Sequence, residues 1–249
     1  MSKEKTYRAA MIVIGNEILS GRTQDKNVQY VGYGLTEKGI RLSEVRVVAD
    51  IEQDIIEAVR SLRSKYDYVF TSGGIGPTHD DITAVTVAKA FDVEIQQNQE
   101  AYDILLTHYG EAELNDARLR MAQIPVGASL IPNPVSSAPG FQLENVYVMA
   151  GVPKIMQAMF DHVVRSLAGG APVLSRTVHC QIYESELAPG LGDLQEQYPN
   201  IDIGSYPHYA QGKAGVNVVL RGTDEGLLDK VTEKVQKMIE TLSGGPTET

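Results

Sequence analysis

Thr71–Asp81, TSGGIGPTHDD, follows the apolar run Tyr68-Val69-Phe70 and precedes the helical pattern Ile82–Phe91. A strand, a glycine loop and a helix in that order predict one unit of an open α/β sheet, with the loop at the carboxyl end of the strand. Gly73, Gly74 and Gly76 leave a backbone without side chains in the way. Its N–H groups can turn onto an anion, at a helix N-terminus whose dipole favours negative charge. Asp80 and Asp81 stand at the far edge of this cradle. Carboxylates beside a phosphate nest point to a divalent cation between them. The plainer reading is a tight turn with Asp80 or Asp81 as a helix N-cap. The loop is neither a dinucleotide GxGxxG nor a Walker loop, since no Gly-Lys-Ser/Thr follows.

On both sides of this unit, strand and helix patterns alternate. Ala9–Ile14 is a continuous apolar run, read as a buried strand. Asn27–Lys38 carries Val28, Val31 and Leu35 at helical spacing, with Gly39 as its stop. Leu42–Val48 reads as a second strand, Ile51–Arg63 as a helix with Ile55, Val59 and Leu62 on one face, and Tyr68–Thr71 as the third strand. Helices are predicted at Ala101–Tyr109, Glu113–Met121 and Pro153 to about Leu167, a strand at Val146–Met149, and a loop at Ser129–Pro139. The predicted fold is a three-layer α/β/α arrangement around a mostly parallel sheet. Gly169-Gly170-Ala171-Pro172 is the best linker. Beyond it, strands at Val173–Tyr183, Ile201–Pro207 and Gly215–Arg221 alternate with helices at Ser185–Gln197 and Gly226–Leu242. Leu227, Val231, Val235, Met238 and Leu242 form the predicted stripe of the last helix. The expected division is therefore a domain over 1–170, a small α+β domain over 171–243 and a disordered tail over 244–249.

The 249 residues carry 22 basic and 32 acidic side chains, a net charge of −10. That argues against a nucleic-acid or membrane-surface binder, which needs a basic face. It leaves room for anionic small molecules held by backbone N–H groups. The single cysteine, Cys180, excludes an intrachain disulfide and a cysteine-based zinc site, and is expected to be small and buried. The N-terminal MSKEKTYR has no signal-peptide pattern, and no run is long enough to span a membrane. A cytoplasmic protein is the expectation.

Ligands of open parallel sheets lie beyond the carboxyl ends of the strands. The first strand ends in Gly15-Asn16-Glu17, the second in Ala49-Asp50 and the third in the glycine loop. Glu17, Asp50 and Asp81 are thus delivered to one crevice, with Asn16, Ser72 and Asp80 beside them. Each also has a plain explanation: Glu17 as first-turn charge, Asp50 as the cap of Ile51–Arg63.

GNEILSGRTQDKN, VVAD, TSGGIGPTHDDIT, PNPVSSAPGF and AGVPKIM occur in that order. Over nearly the whole chain this resembles the MoaB/Mog-type molybdopterin-binding domain, especially the N-terminal part of the competence/damage-inducible protein A (CinA) family and the N-terminal domain of eukaryotic FAD synthase. The resemblance implies a Mog-type fold whose loop at Ser72–Gly76 holds a phosphate of a pterin or nucleotide. It implies active-site carboxylates at Asp50 and Asp81, and metal-dependent cleavage of ADP-ribose or FAD. The divalent cation (magnesium, manganese or cobalt) falls to Asp80 and Asp81, with Asp50 or Glu17 orienting a water. The alternatives are a non-catalytic molybdopterin- or nucleotide-binding protein, or molybdopterin adenylylation in cofactor synthesis. A homo-oligomer is expected. Two departures stand out: Ala150 replaces the proline of the family's PGVP segment, and Ile155 replaces the acid that follows. Neither the deamidase-type domain of long CinA proteins nor the nucleotidyltransferase domain of FAD synthase is present in the chain, so flavin adenylylation is not expected.

His79, beside the aspartates, is the histidine worth testing; His108, His162, His179 and His208 lack metal-ligand spacing. Ser136 and Ser137 lie in the Pro-rich loop, which either closes over a ligand or is plain surface. Gly212-Lys213-Ala214-Gly215 matches the KH-type GxxG pattern. It precedes a strand, in a segment of six basic and eleven acidic residues, and reads as a hairpin turn.

Overall fold

The computed structural model describes residues 6–210 and 213–243. In chain order they form β1 (Tyr7–Ile14), α1 (Asn16–Leu19), α2 (Asn27–Glu37), β2 (Ile40–Val48), α3 (Glu52–Arg63), β3 (Tyr68–Ser72), α4 (Thr83–Ala90), β4 (Ile95–Gln97), α5 (Gln99–Tyr109), α6 (Asp116–Leu119), a 3-10 turn (Arg120–Ala122), β5 (Gln123–Pro125), β6 (Ser129–Ile131), β7 (Gly140–Leu143), β8 (Val146–Met149), α7 (Pro153–Ser166), β9 (Leu174–Cys180), α8 (Glu184–Gln197), β10 (Asp202–Ala210), β11 (Lys213–Gly222) and α9 (Glu225–Leu242). The chain divides into two compact units, Met1–Gly170 and Ala171–Thr249.

The sheet of the first unit runs β2-β1-β3-β8-β7-β6. β2, β1, β3 and β8 pair in parallel, while β7 and β6 are antiparallel additions. β1 explains the layering. Its alternate residues Ala10, Ile12 and Ile14 pack with Ile55, Val59 and Leu62 of α3, Val87 of α4 and Leu105 of α5. Ala9, Met11 and Val13 point the other way, into Val31 and Leu35 of α2 and Met156, Met159, Phe160 and Val163 of α7. A strand buried on both faces needs a continuous apolar run, and Ala9–Ile14 supplies it. The parallel pairs Ile14↔Val48, Val13↔Ser72 and Ser72↔Met149 bring four strand ends to one level.

The second unit has the antiparallel sheet β10-β11-β9. Val216, Val218 and Leu220 of β11 pack there with Leu187, Leu191 and Leu194 of α8 and with α9. Among the described residues no helix is long and apolar enough to cross a membrane.

Several expectations are corrected. Ser129–Pro139 is not all loop: Ser129–Ile131 is an edge strand paired with β7, itself unforeseen, as were β4 and β5. Strands of three or four residues carry no readable periodicity. Glu113–Met121 is not one helix but a short helix, Asp116–Leu119, followed by the 3-10 turn; Asn115 caps it by accepting from Arg118 N. The buried stripe of α9 is Leu228, Val231, Val235 and Ile239, while Leu242 is exposed. Cys180 is half-buried rather than enclosed. The first five residues, Gly212 of the GxxG segment and the tail 244–249 lie outside the described residues.

Candidate functional site

Thr83 shapes the glycine loop. Its hydroxyl donates to Gly73 O (3.0 Å) and its N–H to Gly74 O (2.9 Å), tying the first turn of α4 to the loop. Gly73 and Gly74 have φ of +113° and +69°, and a Cβ on either would strike Ile14 O or the Thr83 hydroxyl at 2.2 Å. Only glycine fits both positions. Gly73 donates its N–H to Met149 O (3.1 Å), which fastens the loop to β8. Among the described residues the N–H groups of Gly74, Ile75 and Gly76 donate to no protein acceptor. They are three consecutive free donors, half-buried.

Two further glycines leave room for carboxylates. A Cβ on Gly76 would lie 2.6 Å from Asp81 Oδ2, and one on Gly15 would lie 2.5 Å from Glu17 Oε1. Asp81 is not a helix cap. Its Oδ2 accepts from Thr78 N (2.8 Å) and from the Thr78 hydroxyl, closing the 78–81 turn. Asp50 does not cap α3, whose N-cap is Ile51 without a side-chain bond. Instead Asp50 Oδ2 accepts from Asn16 N (2.9 Å), joining the ends of β2 and β1. Asp80 is exposed, and its carboxyl is held below the usual carboxylate range. The Thr78 side chain, which Asp80 shares with Asp81, is the largest cause, then its own backbone N–H, with the charges of His79 and Arg120 adding.

These groups share a cavity of about 430 Å³ lined by Glu17, Asp50, Gly73, Gly74, Gly76, Asp80 and Asp81, and also by Asn133, Ser136 and Ala150–Val152. Of the residues singled out in the sequence, Ser72 and Asn16 stand apart. Ser72 is buried, with its hydroxyl on Asn27, and Asn16 gives its backbone N–H to Asp50; neither lines the cavity. His79 is exposed and outside the lining. Ile155 lines the crevice as an apolar wall. Among the described residues no group of three or more His, Cys, Asp or Glu forms a dedicated metal cage. Asp80 and Asp81 share the crevice with the free loop N–H groups, and carboxylate oxygens beside phosphate donors are the donor type that a hard divalent cation takes.

Sequence reasoning missed Asn27. It is 3% exposed, and its Nδ2 donates to Ser72 Oγ (2.7 Å) and to Gly151 O (2.8 Å), binding the end of β3 to the turn after β8. Its Oδ1 has no partner among the described residues. The signal was present: Asn27 precedes Val31 and Leu35 in the buried stripe of α2, and an amide in an apolar stripe calls for partners. In the Pro-rich loop, Asn133 accepts from Val135 N and Ser136 N and donates to Ser136 Oγ and Ala138 O. Ser137 sits at φ +64° with its hydroxyl 3.0 Å from His108 Nδ1.

Residues 10–174 match the family described as a probable molybdopterin binding domain, and residues 172–243 match the middle domain of FAD synthase. A protein of Pyrobaculum calidifontis is 35% identical over 210 residues, 80% of each chain. One of Pyrococcus abyssi is 33% identical over 244 residues, 92% of this chain and 96% of its own. The crystal structure of the protein CinA from Thermoplasma acidophilum, described as of unknown function, is 36% identical with a TM-score of 0.61. It covers 64% of this chain and 97% of that one.

Proposed function

We propose that this chain, which belongs to the family of probable molybdopterin binding domains and continues into a FAD synthase middle domain, binds the diphosphate of a nucleotide or pterin at its glycine loop and hydrolyses it with a divalent cation. The observation that carries the reading is the run of free N–H groups at Gly74–Gly76 facing carboxylates in one cavity of about 430 Å³. That volume suits a nucleotide-sized ligand. ADP-ribose and FAD are the substrates of choice, because both carry a diphosphate between an adenosine and a second organic group.

The chain's own groups have distinct tasks. Gly74, Ile75 and Gly76 hold phosphate oxygens by N–H donation and need no reorganisation, because Thr83 and Met149 fix the loop. Asp81 is kept aimed by Thr78 and keeps Oδ1 for a ligand. A cation bound by Asp81 and Asp80 would neutralise diphosphate oxygens. Asp50 or Glu17 accepts a proton from water as its oxygen attacks one phosphorus. The P–O bond to the bridging oxygen breaks, and two monophosphates leave.

The test is AMP release from ADP-ribose, FAD, NAD and ATP with magnesium, manganese or cobalt, alongside calorimetry with and without metal. Turnover of a diphosphate, with binding strengthened by the cation, is expected. Tight binding without turnover would instead favour a binding protein. That second reading draws on Ile155 in the crevice wall and on the lack of a three-carboxylate cluster among the described residues.

A further inference from the structure

The crevice is rich in negative charge. Glu17, Asp50, Asp80 and Asp81 line it, and among the described residues no Lys, Arg or His does. A polyanion entering such a crevice needs positive charge besides a shared cation. A smaller cavity of about 60 Å³ adjoins the crevice, and Gly74, Ile75, Gly76 and Asp81 line both. Its lining includes a basic side chain, Arg120.

Arg120 and Arg118 have different fates. Arg118 donates to Glu113 Oε2 (2.9 Å) and lies over the Tyr109 ring at 4.2 Å, so its guanidinium is committed to holding α6 against α5. Arg120 is exposed and, among the described residues, its guanidinium forms no hydrogen bond or ion pair. Its backbone is well held: it opens the 3-10 turn whose next residues, Met121 and Ala122, are buried. A fixed base, a guanidinium outside any hydrogen bond or ion pair whose charge already acts on Asp80, and free loop N–H groups in the same cavity wall are suited to bidentate capture of phosphate oxygens.

Resting on the diphosphate reading above, we propose that Arg120 is a specificity-determining residue of this site. It contacts the phosphate that lies against Gly74–Gly76 and selects polyanionic diphosphates over ligands of lower charge.

The test uses the full chain and inorganic pyrophosphate with magnesium, titrated by calorimetry at low and high salt. Arg120→Gln should bind pyrophosphate about tenfold more weakly at low salt, the scale of one charge-assisted contact. Arg120→Lys should recover part of the loss. Native affinity should fall more steeply with salt than that of Arg120→Gln, because the contact is exposed. With ADP-ribose, Arg120→Gln should raise KM more than it lowers kcat. Melting temperatures of both variants check the fold. Native-like pyrophosphate affinity in Arg120→Gln, with the native chain binding measurably, overturns the inference and leaves the diphosphate reading standing. An equal loss in Arg120→Lys and Arg120→Gln, without change in salt dependence, also overturns it by pointing to packing. A native chain that binds neither pyrophosphate nor ADP-ribose removes the diphosphate reading, and this inference with it.

Discussion

Asp81 and Gly76 are a pair in which one residue has room because the other has no side chain. A Cβ on Gly76 would press on Asp81 Oδ2 at 2.6 Å, while the backbone there needs no left-handed φ. Gly76→Ala should therefore fold normally and lower turnover by displacing the carboxylate, measured as AMP release beside a melting curve. Gly74 is a different matter. Its φ is +69°, and the Thr83 hydroxyl oxygen lies 2.2 Å from where a Cβ would stand, so a valine would strain the loop itself. Gly74→Val should cost about 1–3 kcal/mol in urea unfolding before any ligand is considered. Asp81→Asn keeps a carbonyl oxygen for Thr78 N, so its stability loss should stay below about 1.5 kcal/mol. If Asp81 holds the cation, diphosphate turnover should fall on the order of 10²–10³-fold. Full activity in a folded Asp81→Asn would remove the role assigned to it.

At the scale of elements, β2 is the edge of the large sheet and carries a charge cluster. Glu44 takes Lys65 Nζ (2.8 Å), Tyr66 OH (2.7 Å) and Arg46 Nε (2.9 Å), which links β2 to the end of α3. The hydrogen bonds from Lys65, Tyr66 and Arg46, in that order, lower its carboxyl from 4.5 to about 2. A depressed carboxylate pKa contributes stability that is fully present above 4.5 and is lost as pH falls toward about 2. The urea midpoint of the native chain should therefore drop through that window. Glu44→Gln should show a flatter pH dependence there, and parallel curves for the two proteins would refute the linkage. Other elements show why short pieces escape sequence reading. β6, with three residues, and β7, with four, are strands only because β8 offers β7 a paired edge. In α9 the apolar residues Leu227, Leu228, Met238 and Ile239 are adjacent in pairs, so the sequence allows two stripes. Packing against β11 and α8 chooses Leu228 and Ile239.

At the scale of the molecule, each unit has its own core. Leu228 is fully buried in the second, and Leu228→Ala should destabilise that unit by about 2–5 kcal/mol. Followed by calorimetry, the variant should show an earlier transition for the second unit and an unmoved one for the first; a single shifted transition would mean that the units unfold together. The buried run Ala9–Ile14, the alternation of strands and helices, and the glycine pattern of Ser72–Gly76 are local properties. By themselves they determined the layered fold and the loop that lies at the carboxyl end of β3. The tertiary structure alone decided which groups remain free. Asp50 finds Asn16 across 34 positions, and Asn27 finds Ser72 across 45 and Gly151 across 124. Gly73 spends its N–H on Met149, and Arg120, which lines the cavity beside the loop, forms no hydrogen bond or ion pair among the described residues, though its charge reaches Asp80. Hydrogen-bond partners so far apart in the chain are set by sheet order and packing, and a residue's availability for chemistry depends on what those contacts leave unused.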